Sequence, residues 1–249
     1  MVIKTDPNGK VKLRTCVDAT ASGFNSSLQK MYTKLDQVQD AIVKMTPNCW
    51  VSCIDFSDAF LQLSIEASHC DMMAFRNLQG EFYRYRFSPF GISLAPWLCQ
   101  RFAYEMKRYI SEQGLQHIRP VLPDGSPNPA ASYVGFCCAA AYIDDYALVH
   151  PHWLTQEQAL EQRKSVEKCV RDLGVVIKPE KVKGPAKEIE FLGLDINTTK
   201  GTVGVSDVKA DKLIARIQEF MSKLSPEGET SRKEIASLND KIEQKLGSL

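Results

Sequence analysis

Short apolar runs alternate along the chain with longer stretches in which apolar residues recur at helical spacing. The runs at 49–60 and 137–150 predict strands, the second run folding back at a turn, because they are short and partly β-branched. The helical repeat predicts helices over 93–112 and 155–173, and a Thr155–Gln158 capping box opens the second helix. The pattern therefore favours a mixed α/β (α+β) fold.

Local patterns predict several further elements. They are a strand hairpin within 1–18 around the turn Asp6-Pro7-Asn8-Gly9, a helix over 35–45, strands within 61–88, a Pro- and Gly-rich surface insertion at 113–132, a basic loop at 178–187, one strand at 191–196 and two helices capped by Ser206 and Ser231. The side chains expected to face the core are Trp97, Phe102 and Met106 on the first long helix and Ala159, Val166, Val170 and Leu173 on the second.

Composition narrows the classes of protein. The chain has 249 residues, of which 44% are hydrophobic and 24% are charged. These values are ordinary for a packed domain and exclude disordered, collagen-like and low-complexity chains. The 31 basic and 30 acidic residues give a net charge of +1, which neither requires a nucleic-acid partner nor excludes one bound by a locally basic surface.

Membrane and disulfide signals are absent from the sequence. No apolar run approaches the ~20 residues that a membrane-spanning helix needs, and the N-terminal MVIKTDPNGK has no apolar signal core. We therefore expect a soluble intracellular protein without membrane contact, in either cytoplasm or nucleus. Eight cysteines occur without a C-x-x-C pair and within apolar stretches, which favours reduced thiols over a disulfide framework or a zinc site.

Three carboxylates occupy positions that suit chemistry. Asp55 falls at the C-terminal end of the first predicted buried strand, and Asp144 and Asp145 form the turn of the predicted hairpin. Two Mg²⁺ ions about 4 Å apart share carboxylate oxygens of this kind. The three side chains thus outline a phosphoryl-transfer site. The alternative is that aspartates simply favour turns and strand ends.

Six motifs follow one another along nearly the whole chain: VKLRTCVDAT, CIDFSDAF, SPFGISLAPWLCQ, YIDD, LGVVIKPEKV and FLGLDI. Together and in this order they resemble the polymerase domain of a reverse transcriptase of the retrotransposon and pararetrovirus kind. The resemblance implies a right-hand polymerase fold, whose palm is an antiparallel sheet backed by helices. It also implies template-directed DNA synthesis from RNA or DNA.

The resemblance assigns catalytic roles to the carboxylates. Asp55, Asp144 and Asp145 become the metal-binding triad, with the backbone carbonyl of Phe56 as a further ligand. Two Mg²⁺ ions are implied, for which Mn²⁺ can substitute. Lys181 becomes the proton donor to pyrophosphate and Lys178 the second choice, while a solvated basic loop is the alternative interpretation of both lysines.

The resemblance also implies a nucleotide site, whose positions are Arg14, Phe56, Asp58, Ala59, Phe60, Phe90 and Gly91. Arg14 would clamp the triphosphate from the fingers, and the backbone N–H groups of Asp58 and Ala59 would meet it. Phe60 would exclude a ribose 2′-hydroxyl, although the same residue could simply belong to the core. Phe90 stands where some relatives carry glutamine, so stacking would replace a hydrogen bond. The implied partners are primer–template nucleic acid and deoxynucleoside triphosphates.

Two histidines are candidate metal ligands. His150 and His152 have the spacing of strand-end ligands, but no third ligand follows nearby in the sequence. We therefore expect both side chains at the surface.

The resemblance divides the chain into partial fingers at 1–48, palm with the first motif and fingers-side strands at 49–90, palm with the insertion at 91–196, and a partial thumb at 197–249. No ribonuclease H, protease or integrase pattern follows, so we interpret the chain as a fragment or degenerate copy of a larger element polyprotein. Two other functions stay open: a catalytically silent reverse-transcriptase-like binding protein, and an RNA-dependent RNA polymerase. Phe60 and a YIDD turn favour DNA synthesis over the RNA polymerase. The oligomeric state stays open.

Overall fold

The computed structural model describes residues 2–5, 11–14, 16–77, 79–116 and 136–223. Three sequence expectations fall on other residues: the turn Asp6-Pro7-Asn8-Gly9, most of the 113–132 insertion and the helix capped by Ser231 all lie outside the described residues.

Helices and antiparallel strands are mixed along the described chain, which confirms the predicted fold class. The strands are β1 (Val2–Thr5), β2 (Val11–Arg14), β3 (Trp50–Asp55), β4 (Ala74–Arg76), β5 (Phe82–Arg84), β6 (Cys137–Tyr142), β7 (Asp145–His150), β8 (Lys183–Ala186), β9 (Glu188–Phe191), β10 (Leu194–Asn197) and β11 (Thr202–Gly204). The α-helices are α1 (Phe24–Ser27), α2 (Val38–Ile42), α3 (Ala67–Cys70), α4 (Ala95–Gln116), α5 (Gln156–Asp172) and α6 (Asp207–Lys223).

The centre of the fold is a four-stranded antiparallel sheet in the order β6-β7-β3-β8. Its two faces contact different layers, because successive side chains of a strand point to opposite faces. Ile54, Tyr146 and Leu148 pack with residues of α4 and α5. Val51 and Cys53 pack instead with α2 and with the three-stranded sheet β11-β10-β9. The sheet is thus covered on both faces, which explains why β3, β6 and β7 consist largely of apolar residues.

The two long helices form where their apolar repeats predict them. The Thr155 hydroxyl accepts from the Gln158 N–H at 3.2 Å, and the Gln158 side chain accepts from the Thr155 N–H at 2.9 Å, so the capping box is confirmed. The expected core face of α5 is buried except at Leu173, which is 54% exposed. Leu173 follows the end of the helix, and Gly174 then turns the chain with a φ of 82°.

Helix α4 begins at Ala95, slightly later than the predicted start at 93, and continues to Gln116. Of its three expected core residues, Met106 is buried, and Trp97 and Phe102 are half-buried.

Three elements differ from the sequence predictions. The helix expected over 35–45 is shortened to Val38–Ile42, with Gln37 as its N-cap. The strand expected over 191–196 is the turn of a hairpin, at which Leu192 and Gly193 take φ values of 48° and 89°. The basic loop contains the short strand β8, which pairs with β3. A continuous apolar run does not distinguish one strand from two, and periodicity fixes element ends poorly.

The structure contains strands in the two segments, 1–18 and 61–88, that the sequence predicts. The hairpins β1–β2 and β4–β5 lie within the predicted segments, and both are antiparallel. All eight cysteines lie among the described residues and all are free thiols, as expected. In the part of the chain that the structure describes, no helix is both long enough and apolar enough to cross a bilayer.

His150 is a core residue, which contradicts its expected place at the surface. The side chain is fully buried (0% exposed). Its Nε2 lies 2.9 Å from the Ser52 hydroxyl and its Nδ1 lies 2.7 Å from Gln162 Oε1. A neutral ring satisfies both contacts when Nδ1–H donates to Gln162 and the serine donates to Nε2. Helix α5, which carries Gln162, covers this end of the sheet, whereas His152 is exposed as expected.

Acid is expected to destabilise the protein through His150. Burial lowers the pKa of His150 to about 4, whereas histidine in an unfolded chain titrates near pH ~6.5. The unfolded chain therefore binds a proton that the folded protein does not, and stability falls as the pH drops through this window. Linkage gives a loss of about 2 kcal/mol between pH ~7 and ~5.

Urea unfolding of the parent and of His150→Gln at both pH values measures this effect. The other titrating groups are common to both proteins, so the difference between them isolates His150. The parent should lose more stability on acidification than the variant. Equal losses in the two proteins would show that His150 is not the group responsible.

Candidate active site

Asp55 and Asp145 are direct partners at one end of the central sheet. Asp55 ends β3, Asp145 begins β7, and the two are paired in the antiparallel register. Residues paired in this way point to the same face, with Cβ atoms about 5 Å apart. Asp144 precedes Asp145 in the β6–β7 turn, and its carbonyl accepts from the Phe56 N–H at 2.8 Å. The turn also includes Ile143 at a φ of 56°. The structure thus brings together the three carboxylates singled out from the sequence.

The surroundings of Asp144 and Asp145 disfavour their charged forms. Asp55 is 3% exposed. Burial, followed by the charges of Asp144 and Asp55, raises the pKa of Asp145 to about 7. Burial and then the charge of Asp55 also raise the pKa of Asp144 above its ordinary value. Carboxylates in such a position are stabilised by a nearby cation.

Two lysines hold the Asp55 carboxylate. Lys178 Nζ donates to Asp55 Oδ1 at 2.8 Å and lies 3.3 Å from the Phe56 carbonyl oxygen. Lys181 Nζ donates to the other carboxylate oxygen, Oδ2. The Lys178 side chain is 14% exposed and that of Lys181 is 54% exposed. Burial acts to lower the pKa of Lys181, but the hydrogen bond and attraction to Asp55 outweigh it and leave the pKa raised.

A short antiparallel pairing carries these lysines to the end of β3. The Ser57 N–H donates to the Val176 carbonyl at 2.7 Å, and the Lys178 N–H donates to the Asp55 carbonyl at 3.0 Å. The Gln62 side chain reinforces the pairing, since it donates to the Val176 carbonyl at 3.1 Å and accepts from the Val176 N–H at 2.9 Å. The segment after α5 is therefore fixed against the carboxylates.

Two buried polar side chains support the β6–β7 hairpin, and sequence reasoning missed both. Gln100 of α4 donates to the Ala141 carbonyl at 2.7 Å and accepts from the Ile143 N–H at 2.9 Å. Asp36 accepts from the Ala141 N–H at 3.0 Å and from Lys107 Nζ at 2.6 Å. A glutamine within an apolar helical repeat was the available signal for Gln100, whereas Asp36 is one polar residue within the predicted 35–45 helix and gave no such signal.

Replacing Gln100 with leucine is expected to loosen the turn that carries Asp144 and Asp145. The change keeps the volume similar but removes two hydrogen bonds from buried backbone groups, which costs about 2–4 kcal/mol of stability. Misplacement of the carboxylates should lower the rate of nucleotide incorporation by about 10²-fold. Thermal melting and a primer-extension rate measure the two effects. Glu105→Gln, on the exposed face of the same helix, is the control, and equal behaviour of the two variants would rule out the supporting role.

An aromatic pair follows β3. Phe60 lies in the 3₁₀ turn Ala59–Gln62, and its ring centroid is 5.0 Å from that of Phe90 at an interplanar angle of 53°. Both rings are half-buried. Phe60 also packs against a small apolar cluster of Ala19, Ile92 and Ala95. The ring is thus partly anchored and partly open, so its geometry is compatible with both interpretations, sugar wall and core.

The loop that carries Phe90 requires glycine at the next position. Gly91 has a φ of 104°, and a Cβ there would lie 2.0 Å from the Val17 carbonyl oxygen. The Phe90 carbonyl accepts from the Val17 N–H at 2.8 Å. The Asn25 side chain joins the same loop, donating to the Gly91 carbonyl at 3.0 Å and accepting from the Ser93 N–H at 2.9 Å. The loop is therefore bound firmly to the segment after β2.

The remaining candidate residues lie around these groups. Asp58 adopts a left-handed conformation (φ 46°, ψ 49°) directly before the buried Ala59. The backbone of Arg14 ends β2, but its side chain lies outside the described part of the chain. A cavity of about 630 Å³ opens between Asp55, Asp145 and the β9–β10 turn. Two of the three carboxylates, Asp55 and Asp145, therefore line an open cavity.

Known proteins resemble this chain in sequence. The family model "Reverse transcriptase (RNA-dependent DNA polymerase)" matches residues 8–196. The "Enzymatic polyprotein" of soybean chlorotic mottle virus is 25% identical over 181 residues, which are 73% of this chain and 22% of the polyprotein. The chain therefore spans only a small part of this relative.

Two solved structures share the fold. The foamy viral protease-reverse transcriptase dRH in complex with double-stranded DNA has a TM-score of 0.64 at 19% identity, covering 95% of this chain and 34% of that chain. The foamy viral protease-reverse transcriptase in complex with an RNA/DNA hybrid has a TM-score of 0.59 at 17% identity, covering 96% of this chain and 27% of that chain. These matches confirm the right-hand polymerase fold. Since the family model extends over most of its length, the chain belongs to the reverse transcriptase (RNA-dependent DNA polymerase) family.

Proposed function

We propose that this chain is an RNA-directed DNA polymerase that uses two metal ions for template-directed nucleotidyl transfer. The observation that carries the proposal is the convergence of Asp55 with Asp144 and Asp145 at one end of the central sheet. Three carboxylates from two separate parts of the chain are costly to bury together unless a cation joins them. The family match supports the same function.

The metal assignment depends on the donor set. Reverse transcriptases in general depend on divalent metal ions. Within the described residues, no three His, Cys, Asp or Glu side chains are already arranged to hold a metal ion, and both oxygens of Asp55 engage lysines. The donors still fit Mg²⁺ or Mn²⁺, because they are hard oxygens, and burial followed by the neighbouring carboxylate charges raises the pKa values of Asp144 and Asp145.

We assign Asp55, Asp144, Asp145 and the Phe56 carbonyl as the groups that would hold two such ions. Bound there, the ions would activate the primer 3′-hydroxyl and neutralise charge on the leaving pyrophosphate. Lys181 supplies the proton to pyrophosphate in this proposal, since its exposed side chain can leave Asp55 and its raised pKa keeps it protonated.

We propose the nucleotide contacts from the positions of the loops around the carboxylates. Phe60 and Phe90 form the aromatic side of the pocket, and Gly91 permits the close backbone approach that fixes Phe90. The backbone N–H groups of Asp58 and Ala59, at the turn after β3, would meet the triphosphate. We propose Arg14 as a further triphosphate contact, because of its position in the motif VKLRTCVDAT.

Primer–template nucleic acid and deoxynucleoside triphosphates are the proposed partners. The foamy viral relatives were solved with double-stranded DNA and with an RNA/DNA hybrid. The division into partial fingers (1–48), palm (49–90 and 91–196) and partial thumb (197–249) belongs to the same proposal.

The template and the nucleotide sugar that the protein uses distinguish this function from the two alternatives. The purified protein is given a DNA primer on an RNA or a DNA template, with Mg²⁺ or Mn²⁺ and either deoxy- or ribonucleotides. Extension with deoxynucleotides on both templates is expected. Preferential use of ribonucleotides would indicate an RNA polymerase. Binding of the primer–template without extension under any condition would indicate a silent binding protein.

A further inference from the structure

The Lys178 ammonium contacts two of the groups assigned to the proposed metal site. It lies 2.8 Å from Asp55 Oδ1 and 3.3 Å from the Phe56 carbonyl oxygen, and both oxygens are proposed metal ligands. We propose that Lys178 is a built-in counter-ion that holds the Asp55 carboxylate in place and competes with a divalent ion for the same oxygens. The identity of that ion rests on the proposed function, whereas the contacts of Lys178 do not.

Lys178 and Lys181 have different surroundings, although both contact Asp55. The Lys178 side chain is 14% exposed, and its backbone N–H also donates to the Asp55 carbonyl at 3.0 Å. Backbone pairing therefore fixes the root of this side chain beside the carboxylate. Lys181 reaches Asp55 Oδ2 from the outside, with a side chain that is 54% exposed. The less exposed lysine, Lys178, is thus the one built into the site.

The need for a counter-ion follows from burial. The Asp55 side chain is 4% exposed, and a buried charge whose partner is removed is strongly destabilising. Lys178 and Lys181 already place two positive charges beside the carboxylates. Two divalent ions would add four more positive charges to the same five groups. Binding of the ions therefore favours withdrawal of the lysines, and removal of Lys178 should favour binding.

Lys178→Met tests this inference without any polymerase assay. The matched control is Lys168→Met, which removes a lysine that pairs with Asp172 at 2.6 Å on the exposed surface. The first readout is the melting temperature in EDTA, which should fall by at least about 5 °C in Lys178→Met and stay unchanged in the control. The second readout is the Mn²⁺ dissociation constant, measured by electron paramagnetic resonance. In Lys178→Met it should fall by about tenfold or more.

Lys178→Arg keeps the positive charge and should bind Mn²⁺ about as weakly as the parent. An unchanged melting temperature in EDTA, or Mn²⁺ binding by Lys178→Met that is no tighter than in the parent, would overturn the proposal. If Lys178→Met does not fold in EDTA, refolding on addition of Mn²⁺ supports the proposal and failure to refold overturns it. If the parent binds no Mn²⁺ at all, the two-metal function fails, while the comparison in EDTA still decides the role of Lys178.

Discussion

Replacing Asp55, Asp144 or Asp145 with asparagine is expected to lower the rate of nucleotide incorporation by at least about 10³-fold. Asparagine keeps the size of the side chain but removes a charged oxygen ligand. A double variant should lose little more than a single one, because ligands of one site act as a unit. The measurement is the single-turnover rate of incorporation at saturating nucleotide, with a melting curve of each variant.

Folding should survive the substitution at Asp145. Burial and the neighbouring charges raise the pKa of Asp145 to about 7, so the neutral amide relieves repulsion and Asp145→Asn should melt no lower than the parent near neutral pH. Asp71→Asn is the matched control, since Asp71 is exposed and pairs with Arg84 at 2.6 Å. The control should extend primers at the parental rate. Extension by Asp144→Asn at that rate would show that the metal assignment is wrong.

Trimming Phe60 to valine is expected to change sugar selectivity. If the ring lies against C2′ of the incoming nucleotide, it rejects a ribonucleotide by a clash, and a smaller side chain admits the ribose without new contacts. The ratio of kcat/KM for deoxy- over ribonucleotide should therefore fall by about 10²-fold or more. The geometry supports this role, since the ring is only half-buried and meets Phe90 at 5.0 Å.

The core interpretation of Phe60 makes a different prediction. A core phenylalanine loses about 3–5 kcal/mol on truncation to alanine and fails with both sugars alike. Melting curves of Phe60→Val and Phe60→Ala are therefore recorded beside the kinetics. Phe87→Val, at an exposed phenylalanine, should leave the ratio unchanged. An unchanged ratio in a destabilised Phe60→Val protein would assign the ring to the core and reopen the RNA-polymerase alternative.

The carboxylates of the site were predictable from sequence because local signals place them. Asp55 ends an apolar run, and Asp144 and Asp145 interrupt another, so each lies at the end of a strand whatever the rest of the fold does. The sheet order β6-β7-β3-β8 then pairs Asp55 with Asp145. That pairing joins distant segments, and the motif order, not periodicity, indicated it.

The supporting residues were not predictable, because their roles arise only from tertiary contacts. Gln100 and Asp36 bond the backbone of the hairpin from two other parts of the chain. Lys178 was the second choice to Lys181 as a proton donor, and nothing local in the sequence shows that its ammonium lies on Asp55. His150 counts as polar in any hydrophobic pattern, yet Ser52 and Gln162 make its burial tolerable.

Incorporation of one nucleotide at a time tests the polymerase assignment most directly. A labelled DNA primer on an RNA template is incubated with the protein, Mg²⁺ and a single deoxynucleotide, and the first unpaired template base is varied in turn. We expect extension by one residue only when the nucleotide complements the template base, and none when EDTA replaces Mg²⁺. Failure to extend with all four nucleotides, or extension that ignores the template base, would contradict template-directed DNA synthesis by this chain.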